Sequence, residues 1–229
     1  MPLDVTDPKQ LSDVADEDFS ACGEVAVVIN NSGIGQARGA VIDTPVEELQ
    51  RVMAVNFEGV WRGCQEFGRR LIDQGTPAGL YNTGSENSFF VAVSHSAAYV
   101  ASKHAVLGLT DCVREEMPEY ISVGMIAPGF VGSELIPETM RPMGMPVDEF
   151  AEIIAPQILS GEPYVVSHGY NRVRIDERQS QILGAFERSA PRVEGDERYD
   201  VRVLLEALKS QGSACLLYTS DAADEGLGV

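Results

Sequence analysis

Tyr99 and Lys103 stand four residues apart in a segment that reads as helix. Positions i and i+4 of a helix share one face. A lysine ammonium beside a phenol favours the phenolate and lowers its pKa. A phenol tuned towards neutral pH can donate or accept a proton in carbonyl or alcohol chemistry. Of seven tyrosines, Tyr99 alone has a lysine four residues later. Taken alone, the pair also fits a solvated helix face.

The elements that must position this pair alternate along the chain. Residues 25–29 form a continuous apolar run stopped by Asn30, Asn31, Ser32 and Gly33. Such a run reads as a strand buried on both faces. Residues 79–83, 121–126 and 164–168 read as further strands. Thr44, Pro45 and Glu47 form a helix-start signal, with Thr as N-cap and Pro at the first helical position. The helix they open, over 45–73, carries Leu49, Val52, Val60, Cys64, Phe67 and Leu71 at helical spacing, with Asn56 on the same stripe. Helices are also predicted over 7–19, 99–116, 148–159, 176–189 and 201–210. Strand–helix alternation defines an α/β class with a doubly wound, mostly parallel sheet. Ligands of such sheets bind beyond the carboxyl ends of the strands. Residues 30–33, Ser85 and residues 128–133 all fall there.

In this order the motifs resemble the short-chain dehydrogenases/reductases, whose fold is Rossmann-like. Asn30, Asn31, Ser32 and Gly33 are similar to the family's N-N-A-G turn, with Ser for Ala. Asn56 matches the asparagine of the following helix. Ser85 matches the catalytic serine, and Tyr99 with Lys103 matches Y-x-x-x-K. Pro128 and Gly129 match the P-G turn, and Ser133 stands where Thr is frequent. Asp4 and Val5 resemble the segment that contacts adenine at the end of the family's third strand. The resemblance covers about residues 3 to 170.

It implies an oxidoreductase that interconverts an alcohol and a ketone with NAD or NADP. Tyr99 is then the general acid/base. Lys103 lowers its pKa and holds the nicotinamide ribose, Ser85 donates to the substrate oxygen, and Asn56 anchors a water that relays protons. Cofactor contacts are implied at Asp4, Val5, Asn30, Ser32, Gly33, Tyr99, Lys103, Pro128, Gly129, Val131 and Ser133. Ser88 is a rival to Ser85. The parent is expected to form a homodimer or homotetramer through its two long helices, 45–73 and 99–116. A non-redox member of the family and a fragment that binds no cofactor are the competing readings.

Gly33 and Gly35 imitate the start of a dinucleotide fingerprint, but the third glycine is misplaced and no helix opens there. The family's own Gly-rich phosphate loop is expected upstream of Asp4. Its absence, with the first strands, marks the chain as N-terminally truncated by roughly fifty residues. The strand at 25–29 is then a bare edge, and the segment that separates NAD from NADP is missing. Residues 1–214 are read as one truncated domain. Residues 215–229 resemble translated adapter DNA, a non-native tail to be left out of fold reasoning.

The whole chain has 229 residues, 35 acidic and 17 basic, for a net charge of −18. That field disfavours nucleic acid and anionic lipid as partners and leaves a small-molecule substrate. No apolar run is long enough to span a membrane. Four scattered cysteines without a CxxC pair point to a reducing cytoplasm, and three scattered histidines give no metal cluster. Phe89, Phe90 and Val91, together with Leu135, Met140, Met143 and Met145, are expected to frame a hydrophobic substrate pocket. Arg172 and Arg174 are expected to be solvated or salt-bridged.

Overall fold

The computed structural model describes residues 3–210. These fall into two compact units, one up to Arg178 and one from Gln179. The tail at 215–229, with Cys215, lies outside the described residues.

The first unit is a four-stranded sheet with helices. Its strands are β1 (Val27–Asn30), β2 (Ala78–Thr83), β3 (Ile121–Ala127) and β4 (Tyr164–Val166). They pair in that order, all parallel. Parallel neighbours require crossover connections. These are supplied by α2 (Val46–Met53), α3 (Gly59–Gln74), α4 (Ala97–Glu116) and α5 (Val147–Leu159). A further helix, α1 (Pro8–Cys22), precedes β1. It starts where the Asp7 carboxylate accepts from the backbone N–H groups of Lys9 and Gln10, with Pro8 in the first helical position. The α/β class and parallel sheet therefore stand as expected.

The main core lies between α1, α3, α4 and the sheet. Leu11, Val60, Phe67, Leu71, Leu80, Val106 and Val123 meet there, all buried. A smaller cluster of Tyr81, Ile126 and Val165 lies against Phe150, Ile154 and Ile158 of α5. Burial differs from expectation at β1. Val28 is buried, but Ile29 is 44 % exposed. Among the described residues only β2 pairs with β1, so this strand is the sheet edge; Val27, on the same face as Ile29, still packs against the Tyr81 cluster.

Three other expectations are corrected. Thr44 is not the N-cap of α2. Its hydroxyl donates to the Ala40 carbonyl at 2.8 Å, within the 3-10 turn Val41–Asp43, and Pro45 occupies the cap position. The long helix expected over 45–73 is interrupted by a π-helical turn, Ala54–Glu58, which separates α2 from α3. Such turns insert one extra residue into a helix and recur at functional positions. Asn56 sits in it. Asp4 and Val5 lie in a turn before α1 and not at the end of a strand.

The second unit holds the remainder of α6 (Asn171–Ser189), a 3-10 turn (Asp196–Tyr199) and α7 (Val201–Ser210). Arg192 holds Asp196 at 2.6 Å, and the Asp200 carboxylate accepts from Arg202 N at 2.8 Å. No helix among the described residues is long and apolar enough to cross a membrane.

Candidate active site

The carboxyl ends of the strands open into a cavity of about 580 Å³. Ser85, Tyr99 and Lys103 line it, with Gly33, Pro128, Gly129, Val131 and Ser133. Four stretches of chain thus deliver the predicted residues to one place: the turn after β1, the turn after β2, the first turns of α4 and the turn after β3.

Ser85 ends the extended stretch that follows β2 and caps the 3-10 turn Glu86–Ser88. Its Oγ accepts from Asn87 N at 3.2 Å and from Asn87 Nδ2 at 3.4 Å. The Ser85 and Tyr99 side chains line the same cavity, and Ser85 acts to lower the Tyr99 pKa. Ser88, the rival hydroxyl, is absent from the cavity wall. It accepts from Ser85 N at 3.2 Å and donates to the Lys103 carbonyl at 2.7 Å. One serine faces the cavity while the other ties its turn to α4.

Lys103 is 3 % exposed. Its Nζ donates to the Thr83 carbonyl at 2.8 Å and lies 5.8 Å from the centre of the Tyr99 ring. Burial disfavours the ammonium and lowers its pKa to about 8. Tyr99 moves the other way. Burial raises its pKa, Ser85 opposes that rise, and the Glu86 carboxylate adds to it. The expectation that Lys103 lowers the tyrosine's pKa is not met, and Lys103 is not among the groups that shift it. The phenol is itself desolvated, and the ammonium is turned to a backbone carbonyl.

Asn56 is fully buried behind the cavity wall. Its Oδ1 accepts from Ile34 N at 2.8 Å, and its Nδ2 donates to Ile34 O at 3.0 Å and Ser102 Oγ at 3.1 Å. The side chain fastens the segment after the Asn-rich turn to α4. Gly33 lies in front of it. A Cβ at Gly33 would stand 3.6 Å from both Asn56 Oδ1 and Lys103 Nζ. Gly129 is glycine for a different reason: a Cβ there would run into the His168 ring. His168 Nδ1 accepts from Gly129 N at 3.3 Å and bonds Ser167 Oγ at 2.8 Å, so Nε2 is left to donate to Phe130 O at 3.3 Å.

Other predicted residues lie elsewhere. Val5, Asn30 and Ser32 line a separate groove of about 280 Å³ along the β1 edge. Asn30 donates to Asn82 Oδ1 at 2.8 Å, and Asn82 to Thr110 Oγ1 at 3.0 Å, a polar chain between β1, β2 and α4. The Asp4 carboxylate is bound within its own turn by Thr6 N at 2.9 Å and Thr6 Oγ1 at 2.7 Å.

Of the expected pocket-framing residues, only Leu135 lines the cavity. Phe89 packs edge-on against Tyr164, with ring centres 6.2 Å apart. Met143 is 75 % exposed, and Met145 pairs with Val131. The apolar wall comes instead from Phe130, Ile136, Val147 and Phe150. Arg172 and Arg174 are exposed and paired with Asp176 and Glu177, as expected. Sequence reasoning missed Gln36, Glu86 and Asn87 as wall residues. Only the nearness of the last two to Ser85 could have pointed to them.

A protonated phenol beside a serine hydroxyl can hold a carbonyl oxygen between two donors. The fold and this cluster define a Rossmann-like α/β protein. The short chain dehydrogenase family model matches residues 1–142, and the chain belongs to that family. The chain is 38 % identical over 139 residues to "Probable oxidoreductase EphD" of Mycobacterium tuberculosis H37Rv, which covers 60 % of this chain and 23 % of that protein. It is 29 % identical over 187 residues to 1-deoxy-11-beta-hydroxypentalenate dehydrogenase of Streptomyces exfoliatus, 78 % of this chain and 68 % of the relative. The match thus spans less than a quarter of the mycobacterial relative's length. Among solved structures, a short chain dehydrogenase/reductase from Burkholderia phymatum in complex with NAD superposes with a TM-score of 0.72. It is 21 % identical and covers 84 % of this chain and 79 % of its own. A short chain dehydrogenase from Burkholderia cenocepacia in complex with NADP gives 0.67 at 20 % identity, covering 83 % and 80 %.

Proposed function

We propose that this chain carries the catalytic half of an NAD(P)-dependent oxidoreductase that interconverts an alcohol and a ketone. The observation that carries this reading is the meeting of Ser85, Tyr99 and Lys103 on the wall of one cavity, with Lys103 Nζ held by Thr83 O. The nicotinamide side of a cofactor fits the residues present. Gly33 leaves open the space in front of Lys103 Nζ that a methyl group would fill. Tyr99, Lys103, Gly33 and the Pro128–Gly129 turn would hold that side. When bound, the cofactor supplies or accepts the hydride.

The chain's own residues manage the oxygen and the proton. Ser85 Oγ donates to the substrate oxygen and stabilises charge as it develops there. Tyr99 gives its proton to that oxygen in reduction and removes it in oxidation. Lys103 Nζ, 5.8 Å from the ring centre and bound to Thr83 O, would hold the nicotinamide ribose. Asn56 holds the segment after Gly33 against α4, which keeps the cavity wall in place. The apolar wall of Phe130, Ile136, Val147 and Phe150 agrees with a hydrophobic substrate. Titrating the chain with NADH and NADPH, followed by reduced-cofactor fluorescence, tests the reading. Saturable binding, with turnover that disappears in Tyr99→Phe, is expected.

A second reading, a fragment of the same fold that binds no cofactor, draws on the Asp4 carboxylate, which Thr6 already occupies. A folded sample with no response to either nucleotide would select it. For the parent we propose a homodimer through α3 and α4. Their outer faces frame an apolar groove of about 560 Å³ lined by Phe57, Trp61, Ile72, Leu109 and Met117.

A further inference from the structure

Gln36 lies in the irregular segment after β1, and its side-chain amide is fixed from one side. Oε1 accepts from Ala98 N at 2.8 Å and from Tyr99 N at 3.2 Å. These N–H groups belong to the first turn of α4, where a helix offers no partner of its own. Ser96, which precedes α4, supplies no side-chain cap. Two backbone donors on one side-chain oxygen settle which end of the amide is oxygen. The nitrogen therefore points away from the helix. Nε2 is buried and has no hydrogen-bond partner among the described residues. Gln36 lines the same cavity as Ser85 and Tyr99. Buried amide donors without an acceptor are rare in folded proteins and cost stability. The cost disappears when the acceptor arrives with a ligand.

We propose that Gln36 is a substrate-binding residue whose Nε2 donates to a second oxygen of the substrate, next to the carbon whose oxygen Ser85 and Tyr99 hold. This rests on the Tyr99 chemistry above and narrows the substrate to α-oxygenated ketones and vicinal diols. The remaining wall favours a neutral molecule. Glu86 and Glu134 place two carboxyl groups on it, and Lys103, its only basic side chain among the described residues, is bound to Thr83. A hydroxy acid would meet like charge. Because the same amide holds the backbone of Tyr99, the contact to the second oxygen and the placement of the phenol are set by one side chain.

The test compares 2-hydroxycyclohexanone with cyclohexanone, which differ by one hydroxyl. Ligand binding to the full chain is read by saturation-transfer NMR, which needs no hydride transfer, and kcat/KM is measured with NADH and NADPH. Gln36→Glu keeps an oxygen for Ala98 N and Tyr99 N but removes the donor. Gln36→Leu removes both. The unaltered chain should favour the hydroxyketone roughly 10-fold. Gln36→Glu should lose that preference with little change in Tm, while Gln36→Leu loses the preference and melts earlier. A preference that survives in Gln36→Glu, or none in the unaltered chain, overturns the proposal. Tyr99→Phe separates the two readings. It should keep the binding preference and lose turnover, and turnover that persists defeats the general acid/base reading alone.

Discussion

The hydroxyl of Ser88 donates to the backbone carbonyl of Lys103 at 2.7 Å, across fifteen residues of sequence. Two serines three residues apart therefore have different tasks. Ser88→Ala leaves the Ser85 N–H and the Lys103 carbonyl without their buried partner, at a cost of about 1–3 kcal/mol. Ser85→Ala should leave stability within about 1 kcal/mol and lower kcat by roughly 100-fold. Parallel denaturation and turnover measurements on both variants check this. Equal losses of stability would contradict it.

Lys103 should make stability depend on pH. Its pKa is depressed to about 8 in the fold from an ordinary 10.5, so between those values the unfolded chain binds more protons. The charged form costs about 3 kcal/mol. That cost is fully present below pH 8 and is relieved as the pH rises towards 10.5. Lys103→Met should therefore gain stability over the unaltered chain at pH 7, and the gain should shrink by pH 9.5. A difference that is flat across this range in urea denaturation would show that the lysine titrates normally.

For Tyr99 the direction of the shift sets the pH profile. A phenol with a raised pKa is protonated at neutral pH, the state that reduction uses. Alcohol oxidation needs the phenolate, so its kcat/KM should climb from pH 7 to pH 10 while reduction does not. Tyr99→Phe should remove both activities by roughly 100-fold to 10,000-fold. An oxidation rate independent of pH would argue against the tyrosine as base.

Gly33→Ala separates fold from binding. The added methyl makes ordinary contacts at 3.6 Å with Asn56 Oδ1 and Lys103 Nζ. Removing a glycine also restricts the unfolded chain. Tm should hold or rise slightly, while the affinity for NADH or NADPH falls at least about 10-fold because the methyl fills the cradle. Unchanged affinity would place the cofactor elsewhere.

Trp61 is 47 % exposed on the outer face of α3. Trp61→Asp puts a charge on the apolar groove between α3 and α4, and sedimentation should show a dimer reduced to a monomer. A monomeric unaltered chain at tens of micromolar, a concentration at which a standard-size interface would be filled, would remove the proposed interface.

What could be read from the sequence followed range. The Tyr99–Lys103 spacing, Gly33, the Pro128–Gly129 turn and the serine behind Gly84 are local features, and the structure gathers them around one cavity. Gln36 was invisible because its partners lie 62 and 63 residues away and nothing local distinguishes it. Thr44 misled because a hydroxyl can donate as well as accept, and here it donates backwards to Ala40. Phe89 was assigned to the pocket by proximity to Ser85, yet Tyr164 of β4 draws its ring away. Ile29 is exposed at the edge strand although Val27, on the same face, packs against the Tyr81 cluster, and the apolar run alone does not separate the two.

The π-helical turn at Ala54–Glu58 has a further effect. It widens the winding where Asn56 is buried, while Val52 before it and Val60, Cys64, Phe67 and Leu71 after it are all buried. Deleting a single residue from this turn would restore α-helical winding and withdraw the Asn56 amide from Ile34 and Ser102, so the cavity wall would loosen while the buried faces of α2 and α3 stayed in place.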